Sequence, residues 1–122
     1  MKKLLFIVLS IIFISCDQIA NNSGFVQNND TKSAVVVKLA DSYLAGDFNI
    51  ARDYFTADGK HYFNNLEFDV NGIIEGYNSH SLIFKDIKHN DRKVYTGYFN
   101  DGSVQTFHDF NWSATSIITG KE

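Results

Sequence analysis

The chain contains a single cysteine, Cys16, in 122 residues, so no disulfide can close within it. A Gly-x-Ser-x-Gly elbow and a phosphate-binding glycine loop are both missing, which removes the usual nucleophile and nucleotide sites. The four histidines, His61, His80, His89 and His108, are dispersed, without His-x-His or His-Glu-x-x-His spacing, so the pattern supports no metal and no cofactor. Basic residues are few, 11 against 14 acidic for a net charge of −3. Their only cluster, Lys85, Lys88, Arg92 and Lys93, lies beside Asp86 and Asp91 and reads as a solvated hairpin end, which argues against nucleic acid as a partner. The longest apolar run, from Leu4 to Ile14, is broken only by Ser10 and falls short of the about 20 residues needed to span a bilayer.

That run does have the layout of an export signal. Lys2 and Lys3 precede it, and Ser15-Cys16-Asp17-Gln18 restore polarity abruptly. Phe13-Ile14-Ser15-Cys16 resembles the lipobox of bacterial lipoproteins, with Phe13 where leucine is usual. The resemblance implies a signal peptide over residues 1–15, removed on processing, and acylation of Cys16, palmitate included, as the new first residue. The expected location is the bacterial cell membrane or outer membrane, with the domain outside the cytoplasm and the membrane as partner through Cys16. More than one acyl chain makes such anchoring stable. Loss of Lys2 and Lys3 moves the balance of charge from −3 to about −5.

Residues 16–30 comprise the lipidated cysteine and a stretch rich in Asn, Gln, Ser and Gly, a composition that predicts a flexible tether. One domain is then expected over residues 31–122. Val36, Leu39, Ala40, Tyr43 and Leu44 share a helical face, with Asp30 or Thr31 as N-cap and Gly46 as stop. A short helix capped by Asp47 follows, burying Phe48, Ile50, Ala51, Tyr54 and Phe55. Residues 60–63 form a strand candidate, and Asp69 caps a third helix to about Ile83, with Ile73, Ile74, Tyr77, His80 and Phe84 near one side. Strands are expected over residues 84–88, 93–99 and 104–119, with Asn100-Asp101-Gly102-Ser103 as a hairpin turn. Helices first and strands last give an α+β class.

The Ala45-Gly46-Asp47 helix junction and the run Asp109-Phe110-Asn111-Trp112-Ser113-Ala114 leading to Thr119-Gly120-Lys121-Glu122 resemble the nuclear transport factor 2-like superfamily, which includes SnoaL-like cyclases and ketosteroid isomerases. The resemblance covers residues 31–122. It implies a cone-shaped, curved antiparallel sheet packed on three helices, with a pocket at the wide end. It also implies further strands after a segment like Thr119–Glu122, so the expectation is a C-terminally truncated domain, or a homodimer in which a second copy supplies the missing edge.

Alternation along residues 104–114 places His108, Phe110 and Trp112 on one face and Asp109 on the other. Aromatic bulk beside a group that titrates near neutral pH suits a small-molecule site, for which Tyr43, Tyr77, His80, Phe110 and Trp112 are candidate binding residues. The first functional reading is a membrane-anchored binding or accessory domain for a small apolar ligand. The second, implied by the SnoaL and isomerase relatives, is an enzyme in which His108 and Asp109 assist proton transfer. The third is a truncated, non-functional remnant. His108 equally fits a satisfied side chain in an aromatic core, and Asp109 a solvent-facing one.

Overall fold

The computed structural model describes residues 24–122, and the expected signal peptide and Cys16 lie outside them. In chain order the elements are β1 (Phe25–Gln27), α1 (Thr31–Leu44), a 3-10 helix (Phe48–Asp53), β2 (His61–Phe63), β3 (Leu66–Phe68), α2 (Val70–Ile83), β4 (Phe84–Tyr98) and β5 (Val104–Ser116). The class is α+β, with one three-stranded antiparallel sheet in the order β1-β4-β5 and a separate β2-β3 hairpin.

Ordered structure begins before residue 31. Phe25, Val26 and Gln27, expected in the tether, pair with Tyr98, Gly97 and Thr96 of β4. Composition alone did not reveal this, because the strand gains its partner and the stacking of Phe25 on Tyr98 (5.0 Å) from the far end of the chain. Asp30 then caps α1 by accepting from the Ser33 amide at 2.8 Å. The same carboxylate accepts from Thr96 and Tyr98 hydroxyls, and Ser33 Oγ meets Thr96 Oγ1 at 2.9 Å in a fully buried pair. This network fastens the start of α1 to the sheet.

Helix α1 buries Ala40 and Tyr43 as its apolar spacing predicts, then stops at Gly46, whose φ of +80° is readily reached only without a β-carbon. The short helix at Asp47 is a 3-10 helix that buries Phe48 and Ala51 but leaves Tyr54 exposed. Helix α2 has Asp69 as its N-cap and buries Ile73 and Ile74. Tyr43, Phe48, Ala51, Ile73 and Ile74 form the core beneath the sheet.

Two expectations for the strands change. The sequence predicts separate strands over residues 84–88 and 93–99, whereas β4 is continuous and carries two register shifts, between Lys85 and Lys88 and between Asn90 and Lys93. Asp86 and Asp91 sit at those shifts with φ of +55° and +54°, a conformation Asp tolerates better than most residues. Such bulges bend and twist the strand. The second change is β3, not foreseen, which folds back on β2 through Asn64-Asn65, with Asn64 at φ +54°. An Asn-Asn pair between two short aromatic runs is the turn signal that could have revealed it.

Candidate functional site

Between the helices and the β4-β5 hairpin lies a cavity of about 660 Å³. That volume falls within the range of small-molecule pockets, about 300–1,000 Å³. Helix α1 contributes Tyr43, α2 contributes Tyr77 and His80, and β5 contributes His108, Phe110 and Trp112. Five of these were binding candidates and His108 a catalytic one, so alternation on β5 and helical spacing on α1 and α2 converge on one wall. His61 from β2 and His89 from β4 line it too, and all four histidines of the chain therefore face one space. Among the described residues no Asp, Glu, Lys or Arg lines it.

Asp109 is elsewhere. It points to the opposite face of β5, where its carboxylate accepts from the Tyr95 hydroxyl at 3.0 Å. The proposed proton-transfer pair is thus divided between the two sides of one strand, and His108 has no carboxylate beside it in the cavity.

The interior polar groups form a short chain. Trp112 Nε1–H donates to Tyr43 Oη at 2.9 Å, and Tyr43 Oη lies 2.9 Å from His80 Nδ1. With its oxygen accepting the indole hydrogen, the Tyr43 hydroxyl retains its own hydrogen to donate to Nδ1 in the tautomer that carries the His80 ring hydrogen on Nε2, and a second lone pair to accept in the other. Burial pushes the Tyr43 and Tyr77 hydroxyls above their ordinary values, so both stay protonated.

His89 packs against two rings, Tyr43 at 5.3 Å and Phe110 at 3.8 Å, and meets His108 edge-on at 5.2 Å. Burial, with smaller repulsions from His108 and Arg92, pushes its pKa down to about 4. His108 is lowered by burial and by Arg92, and His80 by burial. Neutral imidazoles are the outcome at pH 7. Arg92 itself is engaged outside, its guanidinium donating to Asp41 at 2.6 Å.

Three ring nitrogens, His61 Nε2, His89 Nδ1 and His108 Nε2, are buried without a hydrogen-bond partner among the described residues. Buried polar atoms are usually satisfied, so three such orphans in the wall of one cavity carry a cost in stability. Among the described residues no group of three His, Cys, Asp or Glu side chains is placed to hold a metal. Dispersal in sequence concealed the shared location of the histidines, because they come from four elements brought together only by packing. Comparison with protein-family models, curated proteins and solved structures finds no match to this chain.

Proposed function

We propose that this chain is a lipid-anchored bacterial envelope protein whose domain binds a small, largely apolar molecule. The observation that carries the binding reading is the cavity of about 660 Å³, walled by aromatic rings and four histidines, with no Asp, Glu, Lys or Arg among its described lining residues. Aromatic walls supply apolar area and ring stacking, and a few inward polar atoms supply orientation. Support for the anchor comes from Cys16, the sole cysteine, at the end of a short apolar run preceded by two lysines. The order of α1, the 3-10 helix, the β2-β3 hairpin, α2 and a long antiparallel pair supports kinship with the nuclear transport factor 2-like superfamily, although the described sheets stay open and are not curled into its cone.

Binding is favoured over SnoaL-type proton transfer because general acid-base catalysis requires its groups to converge on one atom of the substrate. Asp109 and His108 diverge, and among the described residues no Asp or Glu lines the cavity.

The single tryptophan makes the binding test direct, since Trp112 contributes one indole N–H resonance and that hydrogen is held at the cavity wall. Titration of the ¹⁵N-labelled full chain in detergent with naphthalene is expected to move this resonance saturably. A shift that only grows in proportion to added probe would overturn the reading. For the anchor, radioactive palmitate is expected to label the full chain in a bacterial host, and Cys16→Ser to abolish the label. Labelling that survives the substitution refutes acylation at Cys16.

A further inference from the structure

We infer that two copies of this chain pair through the outer edges of their β5 strands, antiparallel about a two-fold axis at Phe110, so that the sheet and the aromatic wall of the cavity continue from one copy into the other. The pairing stands on the strand itself and does not depend on the cavity being occupied.

The free edge comes first. Strand β5 ends the sheet order β1-β4-β5, and both register shifts of the hairpin fall in β4, so β5 alternates regularly. At its end the Ile117 amide donates to Ile83 on the β4 side, and the Ser116 amide donates the other way, to Lys121. Alternation carried back from Ser116 turns the backbone N–H and C=O of Val104, Thr106, His108, Phe110, Trp112 and Ala114 outward. Among the described residues no strand or loop backbone pairs with them. Long edges are ordinarily guarded by lysine, proline or charge. This chain has no proline, and Asp109 is the single Asp, Glu, Lys or Arg between Val104 and Ser116.

The partner comes second. Outward from Phe110, β5 is nearly its own reverse: His108 and Trp112 are rings, Thr106 and Ala114 are small, and Asp109 and Asn111 match in shape. An antiparallel copy centred at Phe110 therefore sets ring beside ring on the cavity face, and Asp109 beside Asn111 of the partner subunit on the other. Asp109 accepts from Tyr95 through one oxygen and keeps the second for an amide hydrogen, while Asn111 donates one such hydrogen to Asp91 and keeps the other. Centring the pair on Asp109 would instead bring two carboxylates face to face, which fixes the register. The chain's own ends do not cover this stretch. The chain before Gly24 leads into β1 at the opposite edge of the sheet, and Lys121 meets β5 only at Ser116. A strand that complements its own reverse is the condition for a two-fold interface, in which the same patch serves on both sides.

The consequence for the cavity comes third. Phe110 and Trp112 line it and are still 39% and 42% exposed. Directly opposed residues of an antiparallel pair point to the same face, so His108, Phe110 and Trp112 of the partner subunit extend the wall beyond the edge where one copy stops.

Sedimentation equilibrium of the full chain in density-matched detergent is expected to give a dimer that dissociates on dilution. In a Cys16→Ser background, Phe110→Cys places the new thiol on the two-fold axis. Opposed residues there lie about 5.5 Å apart between α-carbons, within reach of a disulfide, so mild oxidation should join the copies. Gln105→Cys, away from the axis, should not be joined. Phe110→Pro removes an outward N–H and leaves the bonds to β4 in place, and should yield a monomer with unchanged far-UV circular dichroism. An unsubstituted chain that stays monomeric overturns the inference. So does a dimer that survives Phe110→Pro, that fails to join through Phe110→Cys, or that joins through Gln105→Cys instead. If Phe110→Pro does not fold, the two cysteine variants decide. A dimer that forms while naphthalene fails to bind refutes the binding function alone, so the two readings fail separately.

Discussion

Acidification should weaken this fold well before its carboxylates titrate, and His89 is the residue that makes the effect measurable. Its pKa lies at about 4 in the folded chain against 6.5 for an ordinary histidine. Because the folded value is the lower one, the unfolded chain binds more protons between those limits. His89 therefore causes no loss above pH 6.5, and stability falls as pH drops from there toward 4. Between pH 7 and 5 an unfolded histidine takes up most of one proton and folded His89 almost none, which corresponds in full to about 2 kcal/mol. The ring is only half-buried, and solvent screening reduces this to about 1 kcal/mol. His80 and His108, also lowered, act in the same direction. Asp30, held down to about 2 chiefly by the Tyr98 hydroxyl, has the opposite sign. Its contribution is present above the unfolded value of 3.8 and lost below it, outside the range measured. Urea denaturation followed by far-UV circular dichroism at pH 7, 6 and 5 should show a steady loss of stability in the unsubstituted chain. His89→Phe keeps a ring against Tyr43 and Phe110 but removes the titration, and should lose about 1 kcal/mol less over the same interval. An identical loss in both chains, or greater stability at pH 5 than at pH 7, would refute the reasoning.

Tyr43→Phe removes the acceptor of the Trp112 indole hydrogen and the hydrogen-bond partner of His80 Nδ1 together. It should cost about 1–3 kcal/mol in urea denaturation and displace the indole resonance. Thr96→Val leaves the Ser33 hydroxyl buried without its 2.9 Å partner and should cost a similar about 1–3 kcal/mol. Adding Ser33→Ala should cost less than the sum of the two single changes, and strict additivity in the double-mutant cycle would count against the pair. Ile74→Ala, at a side chain only 1% exposed in the core, should cost about 2–5 kcal/mol by the same measurement.

Local chemistry made much of the scaffold legible. Asp47 and Asp69 marked helix starts, and Asp30 was one of two candidates for the first, because a carboxylate can accept from orphan amides within a few residues. Gly46 and Gly102 marked reversals because both take positive φ, and the 3.6-residue and two-residue periods identified the buried side of α1 and α2 and the cavity side of β5. Those features depend on neighbours in the chain, and so the chain declares them. The pairing of β1, the bulges at Asp86 and Asp91 that join two expected strands into one, and the return of β3 depend on partners distant in sequence or on a turn too short to show a period.

The same division runs through the site. Residue order determined that His108, Phe110 and Trp112 share a face and that Asp109 does not, since alternation in a strand is a property of its backbone. Only the tertiary structure decided that His61, His80, His89 and His108 line one cavity, that Tyr43 links Trp112 to His80, and that three ring nitrogens have no partner among the described residues. A lone histidine reads as core or as ligand with equal ease in a sequence. Desolvation, ring packing and the lack of a partner are sums over atoms from separate elements, and they exist only once those elements have packed.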